Sequence, residues 1–269
     1  MHQLVICGDI HNKWGVLHDE IIQKDISDAF MIHVGDGGFG FFPRRTMNIH
    51  LSKQNELLRK RDIILYNVRG NHDNPNWFLP KPKMVQFFQS EDRKVPHWLK
   101  SDYYYLAEYM SPTAYVEAIT SYSNIKFVED YTVLELLDHR ILCIGGAISV
   151  DRVMRVEGKD YFKNESVVYL PNKLREMKNI DTVVTHTAPI FLPPYNIGGT
   201  IVANFTARDP MLAKDLVKER EILAKMFDDL SVNNHIKYWI YGHFHQFNSQ
   251  GFIDTQFIAL MPNNTYFIR

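Results

Sequence analysis

Five short apolar runs in this chain each break off into a polar cluster. "LVIC" (4–7) leads into "GDIH", "AFMIHV" (29–34) into "GDGG", and "DIILYNV" (62–68) into "RGNHD". "DTVVT" (181–185) leads into "HTAP", and "YWIY" (238–241) into "GHFH". Apolar runs of this length, rich in β-branched and aromatic side chains and bounded by turn formers, read as buried strands. The polar clusters then fall at strand ends, the edge where α/β sheets place ligands. Glycine in four of these turns permits sharp reversal and close backbone approach.

Helical periodicity fills several gaps between the strands, at 13–24, 46–60 and 210–230. In the last, Asp209 is placed to cap, Pro210 suits the first turn, and Leu212, Leu216, Leu223, Phe227 and Leu230 share one face. Strand–helix–strand alternation argues for an α/β sheet with crossovers. Residues 131–148 read differently. Two β-rich runs flank Asp138–His139–Arg140 and predict a hairpin, and the C-terminal "GFIDTQFIAL…TYFIR" predicts another. The sheets are therefore expected to be mixed. Residues 76–125 are the least regular stretch, expected either to pack on the core as helices or to cover the site as a lid.

Bulk composition narrows the function classes. The 269 residues are 45% hydrophobic and 23% charged, ordinary globular values, and the net charge is −1. No global basic field exists to hold a nucleic-acid backbone, so nucleic acid is not indicated, although a local patch would suffice. Cys7 and Cys143 sit in apolar runs and are expected to be buried free thiols. The N-terminus enters a strand almost at once, which leaves no room for a signal peptide, and no run approaches the ~18 apolar residues of a membrane helix. A soluble, cytoplasmic protein without a membrane partner is the expectation.

The cluster chemistry points to metal. Asp9/His11 and His243/His245 are i, i+2 pairs, which point the same way in extended chain and can chelate one ion. With Asp36, Asn71 and His186 they form a set of imidazoles, carboxylates and a carboxamide without thiolate, which suits Mn, Fe, Zn or Co. One four-coordinate ion would not use them all, whereas two ions sharing a bridging carboxylate would. A Gly-Asn-His-Asp run arises by chance in well under ~1% of such chains. His33, inside a strand run, reads as a satisfied core histidine or one that supports a ligand. His2, His18, His50, His97, His139 and His235 have no motif context and read as surface or structural.

The series "GDIH…GD…GNHD…TH…GHFH", spanning residues 8–245, resembles the calcineurin-like metallophosphoesterase superfamily. The resemblance implies an α/β fold of two mixed β-sheets packed as a sandwich flanked by helices, in a single domain over residues 1–269. It implies that Asp9, His11 and His245 hold one divalent ion, that Asn71, His186 and His243 hold a second, and that Asp36 bridges them. Mn2+ is the leading expectation, with Fe, Zn, Co and Ni as alternatives. Two such ions ~3.5–4 Å apart acidify a shared water and clamp phosphate oxygens for in-line attack. The implied reaction is hydrolysis of a phosphate mono- or diester by a metal-bridging hydroxide, with His72 as general acid and Asp73 fixing the His72 tautomer and raising its pKa. "GGAISVDR" (145–152) further resembles a bacterial and phage subgroup. The chain departs from the serine/threonine protein phosphatases after Asp36, where "GGFG" stands in place of an Asp-Arg pair, and this counts against a protein substrate. It does share Arg69 before the Gly-Asn-His segment, a candidate substrate contact.

Arg152 and Arg155 follow the glycine pair and are expected to grip the non-reacting part of the substrate, with a nucleotide as one candidate. Tyr161 and Phe162 would supply a stacking face. The competing reading pairs Arg152 with Asp151, Glu157 or Glu165 and buries the aromatics. Two other functions compete with the phosphatase reading. One is a binding scaffold that has lost turnover, disfavoured because all ligand positions and His72 are present. The other is a nuclease or phosphoprotein phosphatase.

Overall fold

The computed structural model of the protein describes residues 2–42, 44–78, 122–195 and 200–268. Most of the expected lid at 76–125 therefore lies outside the described residues.

The strand runs form as their apolarity dictates. β1 (Gln3–Cys7), β2 (Ala29–His33), β3 (Ile63–Asn67) and β4 (Ile125–Phe127) run parallel in one sheet, and the final strand β11 (Thr265–Ile268) pairs antiparallel with β1. A second sheet has the order β5-β6-β7-β8-β10-β9, from β5 (Thr132–Leu136), β6 (His139–Ile144), β7 (Thr182–Thr185), β8 (Tyr238–Tyr241), β9 (Asn248–Phe252) and β10 (Thr255–Ala259). Parallel pairing at its centre and antiparallel hairpins at both edges make this sheet mixed, as expected.

Side-chain alternation explains why the two sheets stack. In β1, Leu4 and Ile6 point into the space between the sheets, while Val5 and Cys7 point out against α1 (Trp14–Gln23) and α2 (Arg44–Lys60). In β6, Ile141 and Cys143 face the same central layer, and Leu142 and Ile144 face outward. Central strands are thus apolar on both faces, which a sheet covered on both sides requires. The outer face of the second sheet is covered by α3 (Pro171–Glu176) and α5 (Leu212–Ser231), whose Leu223, Met226, Phe227 and Leu230 are buried there; α4 (Thr200–Thr206) packs on the start of α5. Both cysteines are buried and free. Among the described residues no helix is long and apolar enough to cross a membrane.

Three local expectations are corrected. The first hairpin turns at Leu137–Asp138, with Leu137 in the left-handed region, so His139 and Arg140 belong to β6. The C-terminal hairpin forms between β9 and β10, while "TYFI" leaves it to pair with β1 in the other sheet. α5 starts at Leu212 rather than Pro210, while Asp209 still serves its start as expected, Oδ1 accepting from the Met211 N–H at 3.3 Å and Oδ2 from Arg152.

Candidate functional site

β1, β2 and β3 are parallel, so the turns that follow them lie side by side, and the turns after β7 and β8 do the same in the second sheet. Asp9, His11, Asp36, Asn71 and His72 come from the first group, and His186, His243 and His245 from the second. Backbone bonds join the turns. Ile10 and His11 N–H donate to the Asp36 carbonyl at 3.2 and 2.6 Å, Gly242 N–H to the His186 carbonyl at 3.0 Å, and His243 N–H to the Asp9 carboxylate at 2.9 Å. Glycine is required where turn meets carboxylate. A Cβ on Gly70 would run into Asp36 Oδ1, and one on Gly242 into Asp9 Oδ1.

Ligand atoms of Asp9, His11 and His245 lie within 4.8 Å of one another, and so do those of Asp36, His186 and His243. Asp36 also groups with His11 and His72, so it lies between the two sets. The local bonding shows that these atoms suit cations. His186 Nδ1 meets the Val34 carbonyl at 2.9 Å, which only accepts, so the ring proton is on Nδ1. Its Nε2 then faces two further acceptors, Asp36 Oδ1 at 3.2 Å and Asn71 Oδ1 at 3.1 Å. The Asn71 orientation is fixed because its Nδ2 donates to Ser149 Oγ. Similarly, His11 Nε2 and His245 Nε2 approach to 2.7 Å, with Asp9 Oδ2 3.3 Å from the latter. Carboxylate, carboxamide and imidazole groups converging this closely offer lone pairs suited to a cation, in a buried space at Asp36, Asn71 and His186 and open to solvent at His245.

The titration behaviour agrees. Burial pulls the His186 imidazole down, yet Asp36 and Asp9 outweigh it and push its pKa up to about 9. Burial works to raise Asp36, but His186, His72 and His11 hold it well below the usual carboxylate range. Burial first, and His186 next, push His243 down to about 3. The backbone is also constrained: His11, Asp36, His243 and His245 have φ of 46°, 62°, 69° and 52°. Left-handed non-glycine residues are uncommon and cluster where surrounding structure enforces them at functional sites.

His72 and Asp73 do not form the expected pair. The Asp73 carboxylate is buried and accepts five backbone N–H bonds, from Asp36, Gly37, Gly38, Phe39 and Gly70. Its geometry anchors the turns after β2 and β3, and no bond runs to the His72 ring. His72 Nε2 instead meets Arg155 Nη2 at 2.9 Å. Guanidinium only donates, so Nε2 is the acceptor and the imidazole is neutral. Burial first, then Arg155 and His11, push its pKa down to about 4 against the opposing pull of Asp36. The expected rise is thus reversed.

The three arginines separate. Arg155 lies at the site, with Nη1 on Ser149 Oγ at 3.0 Å and Nε on Asp151 at 2.7 Å. Arg69 is buried and braces the turn after β3 against the second sheet, bonding Asp130 and the carbonyls of Asn164, Glu165 and Ser166. Arg152 is engaged by Asp209 and Asp215, both at 2.6 Å, rather than by the expected Asp151, Glu157 or Glu165. Phe162 is buried and packs on Phe41, which lies against His72. His33 is buried with neither ring nitrogen hydrogen-bonded, which sets aside the satisfied-core alternative and leaves the one in which it supports a ligand.

A cavity of about 590 Å³ opens from the cluster. His11, Asp36, Asn71, His72, His243 and His245 line it. The lining also includes residues that sequence reasoning gave no role in the site: Val150, Leu216, Glu219, Arg220 and Phe244. One signal was available. Glu219 and Arg220 stand three and four residues after Leu216, on the apolar face of a helix, where charged groups need a reason to be.

Residues 2–247 match the sequence model of the calcineurin-like phosphoesterase family. No curated protein sequence matches the chain. Solved structures similar to it include a protein of Thermus thermophilus, at 11% identity and TM-score 0.49, covering 97% of this chain and 90% of that one. A phosphopantetheinyl hydrolase from Mycobacterium tuberculosis is similar at 14% identity and TM-score 0.44, with the same two coverages. A dimetal phosphatase from Danio rerio is similar at 11% identity and TM-score 0.41, covering 97% and 87%. The family implies divalent metal ions, and the converging acceptors fit them. Because the match runs through every strand-end turn that builds the cluster, the chain belongs to the calcineurin-like phosphoesterase family and is a metal-dependent phosphoesterase.

Proposed function

We propose that the chain hydrolyses a phosphate mono- or diester with two divalent ions, Mn2+ being the first candidate. Asp9, His11 and His245 hold one ion, Asn71, His186 and His243 the other, and Asp36 serves both. The observation that carries this reading is the convergence of His186 Nε2 with the Asp36 and Asn71 oxygens, alongside the facing Nε2 atoms of His11 and His245. When bound, the ions would polarise a phosphoryl oxygen and acidify a water.

The chain's own groups do the rest. Asp73 holds the turn bearing Asp36 and the turn bearing Asn71 and His72 in register. Arg155 donates to His72 Nε2 in the free protein, but a phosphate dianion is the stronger partner for a guanidinium. Substrate binding therefore draws Arg155 onto a phosphoryl oxygen and frees Nε2. That nitrogen would take up a proton from solvent and pass it to the leaving oxygen, returning the ring to the neutral imidazole. Arg155 is thus the substrate contact among the three arginines, and Arg69 and Arg152 are braces.

The test is a panel of nitrophenyl monoester, nitrophenyl diester and cyclic nucleotides with Mn2+, paired with elemental analysis. About two equivalents of metal per chain and turnover abolished by chelator are expected. Turnover that survives complete metal removal would overturn the assignment.

A further inference from the structure

We infer that the site takes a phosphate ester whose alcohol part is apolar and carries no second anionic group. The inference rests on the phosphoesterase reading above and extends it to the rest of the cavity lining.

The cavity lining is mixed in chemistry. Besides the histidine cluster, the cavity is lined by Val150, Pro194, Val202 and Leu216, and by Phe244, whose ring lies 5.0 Å from that of His243. Val150, Val202 and Leu216 belong to a small apolar cluster with Ile148, Leu212 and Phe205, separate from the sheet cores. An apolar wall beside a polar reaction centre gains its binding energy from a ligand that covers it.

The charges on this wall also discriminate. Among the described lining residues there is no lysine. Apart from Arg155, Arg220 is the only arginine among the described lining residues, and its N–H groups are directed at the carbonyls of Ala188, Pro189, Leu192 and Pro194. Its guanidinium also lies 5.1 Å from the Phe244 ring centroid, so it supports that ring and the preceding loop. Arg155 belongs to the reacting phosphate. Glu219 is buried in the same wall, holding the Ile148 and Val167 N–H groups. Among the described lining residues, a second phosphate, as in a nucleoside polyphosphate or a nucleic-acid strand, would meet a carboxyl group and hydrocarbon with no free cation. An alkyl or aryl group would meet hydrocarbon.

The experiment uses the Mn2+-loaded full chain and primary alkyl monophosphates from ethyl to hexyl, whose leaving alcohols have nearly equal basicity. Each methylene buried on the wall is expected to raise kcat/KM about fourfold until the wall is covered. Hexane-1,6-diol bisphosphate, equal in length but doubly charged, is expected to fall at least tenfold below hexyl phosphate. Calorimetric affinity for the matching unreactive alkyl phosphonates should follow the same order. Val202→Asp is partly exposed and on the short α4, so folding should tolerate it, and it is expected to collapse the hexyl-to-ethyl preference. Phe244→Ala is a second variant that should shrink the preference. A flat series with ethyl phosphate still turned over, or a bisphosphate that outperforms hexyl phosphate, overturns the inference and leaves the phosphoesterase reading standing. Failure to hydrolyse any ester, with no phosphonate bound, overturns the phosphoesterase reading and this inference with it.

Discussion

Replacing Asp73 by asparagine tests whether this carboxylate anchors turns or orients a general acid. Oδ2 accepts from Asp36, Gly37 and Gly70, and Oδ1 from Gly38 and Phe39. An asparagine keeps one acceptor oxygen. Its least costly rotamer leaves that oxygen on the first three donors and turns its NH2 toward the Gly38 and Phe39 N–H groups. Two buried N–H groups then lose their acceptor at roughly 1–3 kcal/mol each, and the remaining bonds lose their charge assistance. The expected loss is about 4 kcal/mol, a large part of the roughly 5–15 kcal/mol that holds a typical domain. For a chain of this size that lowers Tm by roughly 10 °C. Urea unfolding and calorimetry at neutral pH read both quantities, and metal retention should fall as well because Asp36 loses its anchor. A loss below about 1 kcal/mol, with full metal content and a fall in kcat alone, would refute the anchoring argument and restore the role for Asp73 expected from sequence.

Asp36→Asn is expected to weaken both metal sites together, read as a fall from about two equivalents toward none; loss of a single ion with normal turnover would show that Asp36 does not bridge. Arg155→Met is expected to raise KM at least tenfold and to raise the His72 pKa, followed by its ring-proton NMR shifts, since burial and Arg155 both hold it low; an unchanged titration would remove Arg155 from the ring. Burial pushes the Glu219 pKa from 4.5 up to about 7, against the Ile148 and Val167 N–H groups that pull it down. The folded protein therefore binds the extra proton between those values, and Glu219 costs stability that grows as pH rises through that window, by about 3 kcal/mol at most. Glu219→Gln should accordingly gain stability over the native protein from pH 5 to pH 8, and a pH-independent difference would contradict the burial argument.

The residues that the structure brings together were legible where chemistry and topology share one sequence signal. A buried strand followed at once by Asp, Asn or His fixes both where a side chain lies and what it is, as for Asp9, Asp36, Asn71, His186 and His243. Asp73 resisted the same reading because its partners are backbone N–H groups, which leave no trace in residue type. Arg152 found Asp209 and Asp215, more than fifty residues away, over nearer acidic residues, since only the folded chain decides which carboxylates it can reach. The hairpin turn was misplaced because β propensity in "HRILCI" begins with two polar residues that read as loop. The destination of β11 was hidden because pairing with β1, some 260 positions earlier, is invisible to local periodicity.

That last pairing sets an order of events during synthesis. Gly8 N–H bonds the Asn264 carbonyl, Asn263 N–H bonds the Asp9 carbonyl, and β11 closes the edge of the sheet beside β1. The turn that carries Asp9 is thus held by residues made among the last of those described, although Asp9 itself emerges among the first. A nascent chain can stack β1, β2 and β3 early and join the Asp9 turn to Asp36, yet it adds the hold from the C-terminal strand only after residues 263–268 have left the ribosome. His186, His243 and His245 are also made late, so the cluster gathers only when both sheets are nearly complete, and a ribosome stalled upstream of residue 263 should release a chain whose Asp9 turn lacks these bonds.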